Sequence, residues 1–148
     1  MAPLITLLVG SIAARIAGWA GVEYVGTWTK AVAVGLAAMF VLTGVAHFAA
    51  PLRAALIAIV PPQLPQPGLL VTVTGVLEFV GAVGLLVPST RVAAALCLLL
   101  LMLAMFPANI LAARMPDPPK SMTTQLPLRT AEEVIYLAAA IVVAICGS

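Results

Sequence analysis

The chain has 148 residues, of which 64% are hydrophobic and 8% charged, and its formal net charge is +2. A water-soluble domain carries about 25% charged residues, so this composition, with a mean hydropathy of +1.20, excludes a solvated globular surface and points to one small polytopic membrane domain. The small charge and the lack of any basic cluster exclude nucleic acid as a partner.

Five hydrophobic segments predict five helices, in one all-α integral membrane domain spanning 1–148. The first runs over about 3–20 and contains Arg15, which snorkels or bridges helices. No Lys or Arg precedes its apolar run, so it reads as a retained helix, not a cleaved leader. The link that follows, with Glu23, Tyr24 and Trp28, suits a membrane–water boundary. The second segment, 31–50, ends at Pro51. In 52–60, apolar Leu52, Leu56 and Ile59 with Arg53 beside them predict a short interfacial helix. Pro61, Pro62, Pro65 and Pro67 then stiffen the connector.

The third and fourth segments, 68–87 and 92–113, form a tight hairpin through Pro88 to Arg91. Pro107 sits in the last turns of the fourth and leaves the carbonyl of Leu103 without its usual donor. A polar loop with four prolines leads to the fifth segment, 130–146. Cys97 and Cys146 fall inside apolar runs and read as buried, unpaired small apolar residues. No CxxC or Cys/His spacing supports a metal or haem site. Side A of the membrane would hold Lys30 and Arg91, and side B Arg53, Arg114, Lys120 and Arg129. Four against two places side B in the cytoplasm by the positive-inside rule.

Four helices each carry a polar residue toward side B. His47, the only histidine, is four residues before Pro51 and so about 6 Å inside the boundary. Asn109, before Arg114, and Glu133, after Arg129, lie at similar depths, and Glu78 lies about 15 Å in by the same rise. Thr43 shares a face with His47, and Thr74 with Glu78. Gly75 and Ala82 flank Glu78 and allow close approach of a helix or ligand. His47 and Glu78 are the candidate catalytic pair, with Asn109, Glu133, Thr43 and Thr74 as ligand-binding candidates and no metal ligand set. Each has a plainer reading: His47 and Asn109 as helix-bridging groups, Glu78 as a structural partner of His47, and Glu132 and Glu133 as first-turn carboxylates on a helix dipole near Arg129.

At these residues the chain resembles the DoxX family, in its short bacterial branch. The matching text is Gly-Val-Ala-His-Phe at 44–48, Ile-Val-Pro-Pro-Gln-Leu-Pro at 59–65 and the Thr-Gly-Val-Leu-Glu run opening 74–88. Ala-Met-Phe-Pro-Ala-Asn-Ile at 104–110 and Leu-Pro-Leu-Arg at 126–129 continue it, so the likeness covers about residues 31–145. The resemblance implies a four-helix membrane bundle, here with an extra N-terminal helix, and polar positions at His47, Glu78 and Asn109. Glu133 stands where that family often has a Gln, which adds an acid. Named relatives include a thiosulfate:quinone oxidoreductase subunit, a component of methylamine-utilisation clusters, members of oxidative-stress membrane complexes, and distant eukaryotic cargo receptors or receptor chaperones. Such diversity makes the resemblance an argument about fold more than chemistry.

Three functions are expected from residues and resemblance together. The first is a subunit of the bacterial inner membrane that binds a quinone or similar lipophilic molecule beside a redox-enzyme partner, with His47 donating to a carbonyl and Glu78 relaying protons. The second is a cofactor-free isomerase or cyclase, with Glu78 as acid or base, His47 its partner and Asn109 an oxyanion donor. The third is a membrane chaperone or assembly factor. Whether the chain is an enzyme stays open at this point, as does homo-oligomerisation.

Overall fold

A computed structural model describes residues 1–147. Six α-helices follow one another: α1 (Ala2–Trp19), α2 (Trp28–Ala46), α3 (Leu52–Ala58), α4 (Pro67–Leu86), α5 (Arg91–Arg114) and α6 (Leu126–Cys146). Short 3-10 turns, Glu23–Val25 and Lys120–Met122, punctuate two of the links. Local chemistry sets the helix starts. Thr27 caps α2 by accepting from the Lys30 N–H at 3.3 Å. α4 and α6 begin with Pro67 and Pro127 in their first turns, where a missing N–H costs nothing. Gln66, closing the proline-stiffened connector, turns the chain into α4 through a left-handed φ of 52°.

The helices α2, α4, α5 and α6 form a closed ring in which each packs on its two neighbours, and α1 lies outside it against α2. This is the all-α bundle with an extra N-terminal helix that is expected above, built on the helices that the hydropathy pattern predicts. Leu36, Met39, Leu85, Leu98 and Val143 are its fully buried large side chains. Outward-facing Val80, Val83, Leu100 and Ile145 are exposed, as suits hydrocarbon rather than water. Four helices, α1, α2, α4 and α5, are long and apolar enough to cross a membrane. α6 is as long but carries Arg129, Glu132 and Glu133 near its start. Its Glu133 turns into the bundle while Val134, Ile141 and Ile145 face outward.

Several boundaries differ from the sequence expectation, each for a local reason. α2 ends at Ala46, not 50, because Pro51 disfavours helix in the residue before it and because Arg53 captures the His47 carbonyl at 2.8 Å. α6 begins at Leu126, not 130, so Glu133 sits two turns inside the helix and is not a first-turn dipole partner. Cys97 and Cys146 are free, as expected, but lie on the outer face and are not buried. Arg15 lies at side A, against Trp19 and Trp28. The Lys/Arg balance between the faces therefore becomes four on side B (Arg53, Arg114, Lys120, Arg129) against three on side A (Arg15, Lys30, Arg91).

Side A is closed by Arg91. Its guanidinium is buried and donates to the Leu85 carbonyl at 3.0 Å and to the Tyr24 hydroxyl at 3.1 Å. Tyr24 donates in turn to the Leu86 carbonyl. The carbonyls at the end of α4, which lack intrahelical partners, are thus satisfied by Arg91 of α5 and by Tyr24 of the α1–α2 link. Leu98→Ala, at a 1% exposed position facing α4, should cost about 2–5 kcal/mol through the cavity it leaves. Reversible unfolding in mixed micelles reads this, and a loss below about 1 kcal/mol would mean that the ring repacks freely there.

Candidate functional site

The site starts where α2 crosses α4. Gly75 makes the crossing close: a Cβ there would lie 2.6 Å from the His47 Cβ, inside any real contact. Phe48 and Phe79 stack across the same junction with ring centroids 5.9 Å apart. Deeper along α2, the Thr43 hydroxyl donates to Glu78 Oε2 at 2.6 Å. Glu78 is 4% exposed and pairs with no Lys or Arg among the described residues. In a low-dielectric interior, hydrogen bonding is what makes such a carboxyl tolerable.

His47 is the C-cap of α2 and 3% exposed. Its Nδ1 lies 2.9 Å from the Thr43 carbonyl oxygen. A carbonyl only accepts, so Nδ1 carries the proton, and Nε2 of the neutral ring is an acceptor. The Glu78 carboxylate stands 3.7 Å from Nδ1, beyond hydrogen-bond range. In the neutral ring the one N–H is thus bonded to α2, and donation from Nε2 to a ligand carbonyl requires the imidazolium.

Two arginines fasten the side-B end. Arg53 donates to the His47 carbonyl, to the Gly68 carbonyl at 3.1 Å and to Thr72 Oγ1 at 3.0 Å, and so ties the end of α2 to the start of α4. Arg129 donates to the carbonyls of Thr124 at 2.9 Å and Met122 at 2.7 Å and to Asn109 Oδ1 at 3.2 Å. It folds the α5–α6 loop under α6, and Asn109 bridges two helices as its plainer reading has it. Arg129 spends its donors there and makes no ion pair with Glu133.

Between these groups lies a cavity of about 440 Å³. Thr43, His47, Glu78, Asn109 and Glu133 all line it, so five of the six expected site residues converge. Thr74 does not. Its hydroxyl donates back to the Leu70 carbonyl at 2.9 Å, the usual fate of a mid-helix threonine. Apolar walls come from Met39, Phe40, Met102 and Met105, and Leu52 and Leu56 of α3 and Met122 of the α5–α6 loop line its side-B end. Five of the chain's six methionines line this one space. Unbranched and polarizable, they suit a surface that adapts to what it holds.

Tyr136, which the sequence reading passed over, also lines the cavity. It sits three residues after Glu133, on the same face of α6, and that spacing was the available signal. Glu133 Oε1 is buried without a hydrogen-bond partner among the described residues, and the Tyr136 hydroxyl on the same face meets only the backbone of Leu4. Buried polar atoms are nearly always partnered, so the orphaned Glu133 oxygen marks where a polar guest would be held.

Residues 36–144 match a domain of unknown function, DUF8561, and the chain belongs to that family. No curated protein and no solved structure matches the chain. The match covers all four ring helices, though it begins partway along α2, and leaves α1 outside.

Gly75→Ala should force α2 off α4, stretch the Thr43–Glu78 bond and destabilise the protein by about 1–3 kcal/mol, the usual cost of overpacking. Thermal unfolding in detergent measures it, and wild-type stability in that variant would show the crossing to be looser than 2.6 Å implies.

Proposed function

We propose that this chain is a DoxX-like subunit of the bacterial cytoplasmic membrane. It binds a quinone or another lipophilic small molecule within the helix ring, beside a redox partner that supplies electrons, with side B toward the cytoplasm. The observation that carries the reading is the convergence of His47, Glu78, Asn109 and Glu133, from four helices, on one cavity of about 440 Å³. Ligand sites run to about 300–1,000 Å³ and are mostly apolar with a few placed polar groups, which is the character of this lining. The residues present fit a quinone head group. The Asn109 amide nitrogen and the Tyr136 hydroxyl are donors for ring carbonyls. The neutral His47 Nε2 and Glu133 Oε1 are acceptors for the hydroxyls of a reduced form, and the methionines flank the ring. A bound quinone would supply the electron-carrying chemistry, while these side chains orient it and hold protons near its oxygens.

One observation favours a second reading, a cofactor-free isomerase or cyclase. Glu133 keeps a free, buried Oε1 opposite the Thr43–Glu78 pair, and two acids in differing surroundings are a common basis for acid–base work. There, substitution of Glu78 abolishes turnover of a lipophilic substrate rather than only weakening binding.

Titration of the purified protein with short-chain ubiquinone and menaquinone analogues, followed by thermal shift and calorimetry, should give saturable binding. Asn109→Ala and Glu133→Gln should each weaken it about tenfold, the equivalent of one well-made hydrogen bond. Failure of both quinones to bind would reject the reading.

A further inference from the structure

The side-A end of α1 carries a cation of a different kind from those that build the bundle. Arg53, Arg91 and Arg129 each donate to backbone carbonyls. Arg15 donates to nothing among the described residues, and its Nε is buried and unpartnered. No carboxylate pairs with it. What holds it is aromatic. Its guanidinium carbon lies 4.8 Å from the Trp19 ring centroid and 5.7 Å from that of Trp28, and the two indoles meet edge-on at 6.2 Å. Gly18 makes room for this arrangement: a Cβ there would lie 3.0 Å from an Arg15 Nη and would also strike the Val25 carbonyl.

Contact with the aromatic rings consumes no N–H donor, so the terminal N–H groups of Arg15 are left for a planar or tetrahedral oxyanion. Both tryptophans are exposed, Trp19 at 65% and Trp28 at 55%, and they occupy the last turn of α1 and the first of α2. Tryptophan in such a place marks the headgroup level of a bilayer. A guanidinium held between two indoles at that depth, with its hydrogen-bonding capacity unused among the described residues, calls for an acceptor from outside the chain.

We infer that Arg15, held by Trp19 and Trp28, is a binding site for the phosphate of an anionic phospholipid in the side-A leaflet. Lipid phosphate is the oxyanion present at that level, and the arginine held there supplies both charge and a two-pronged donor. The site is separate from the cavity between the ring helices and does not depend on what that cavity binds.

Trp19 and Trp28 are the chain's only two tryptophans, so intrinsic fluorescence reports on this corner alone. The protein is reconstituted into phosphatidylcholine vesicles containing phosphatidylglycerol or phosphatidylcholine with brominated acyl chains, and quenching gives the relative affinity. The expected preference for phosphatidylglycerol is about fivefold, the contribution of one interfacial cation. It should vanish in Arg15→Gln, shrink in Arg15→Lys, which keeps the charge without the fork, and persist in Lys30→Gln. It should also survive added inorganic phosphate at matched ionic strength. Equal quenching by the two lipids in the wild type overturns the inference, as does a preference retained in Arg15→Gln. Equal loss in Lys30→Gln would make it a general surface-charge effect and overturn it too, and abolition by inorganic phosphate would assign the site to the free ion.

Discussion

The bond from the Thr43 hydroxyl to the Glu78 carboxyl is the constraint around which the bundle is arranged. A carboxyl buried among apolar helices is costly unless hydrogen-bonded, and here the partner comes from the neighbouring helix. It can do so only because α4 presents Gly75 one turn earlier, where His47 and Phe48 press against the backbone. The closeness of α2 and α4 at this level sets the other walls. Met102 and Met105 of α5 and Glu133 and Tyr136 of α6 stand back from the crossing, and the space between is the cavity.

Arginine does most of the fastening at the bundle's ends. Helix termini leave carbonyls without intrahelical donors, and a guanidinium with five N–H groups can serve several at once. Arg53 serves the end of α2 and the start of α4, Arg129 the α5–α6 loop and Arg91 the end of α4. These residues build the frame, which explains why a count of basic residues per face is a blunt guide to orientation here. None of these three arginines pairs with Glu78 or Glu133 in the cavity.

Much of the architecture was legible because it is written in hydropathy. Twenty-residue apolar runs bounded by proline or charge have few foldings in a membrane, and the helix positions followed within a few residues. Placing His47, Asn109 and Glu133 at one depth required only the rise per residue. Thr74 shows the limit of that arithmetic: sharing a face with Glu78 did not bring it into the cavity, since its own helix offered a nearer acceptor. Tyr136 shows the converse, an apolar-looking residue whose hydroxyl matters once the face of α6 is known. The cysteines were unpaired as expected but outward, because periodicity alone does not say which side of a uniformly apolar helix meets lipid.

What the sequence determined by itself was the number and order of the helices and most of the polar residues that hydrocarbon would force inward, because the cost of exposing charge or unpaired backbone to lipid outweighs any local preference. Tertiary structure alone decided which of those residues meet. The partner in a hydrogen bond, as in Thr43 to Glu78 rather than His47 to Glu78, depends on ångström-scale helix approach and on which backbone carbonyl stands free. That information lies in the packing of four helices together and in none of them separately.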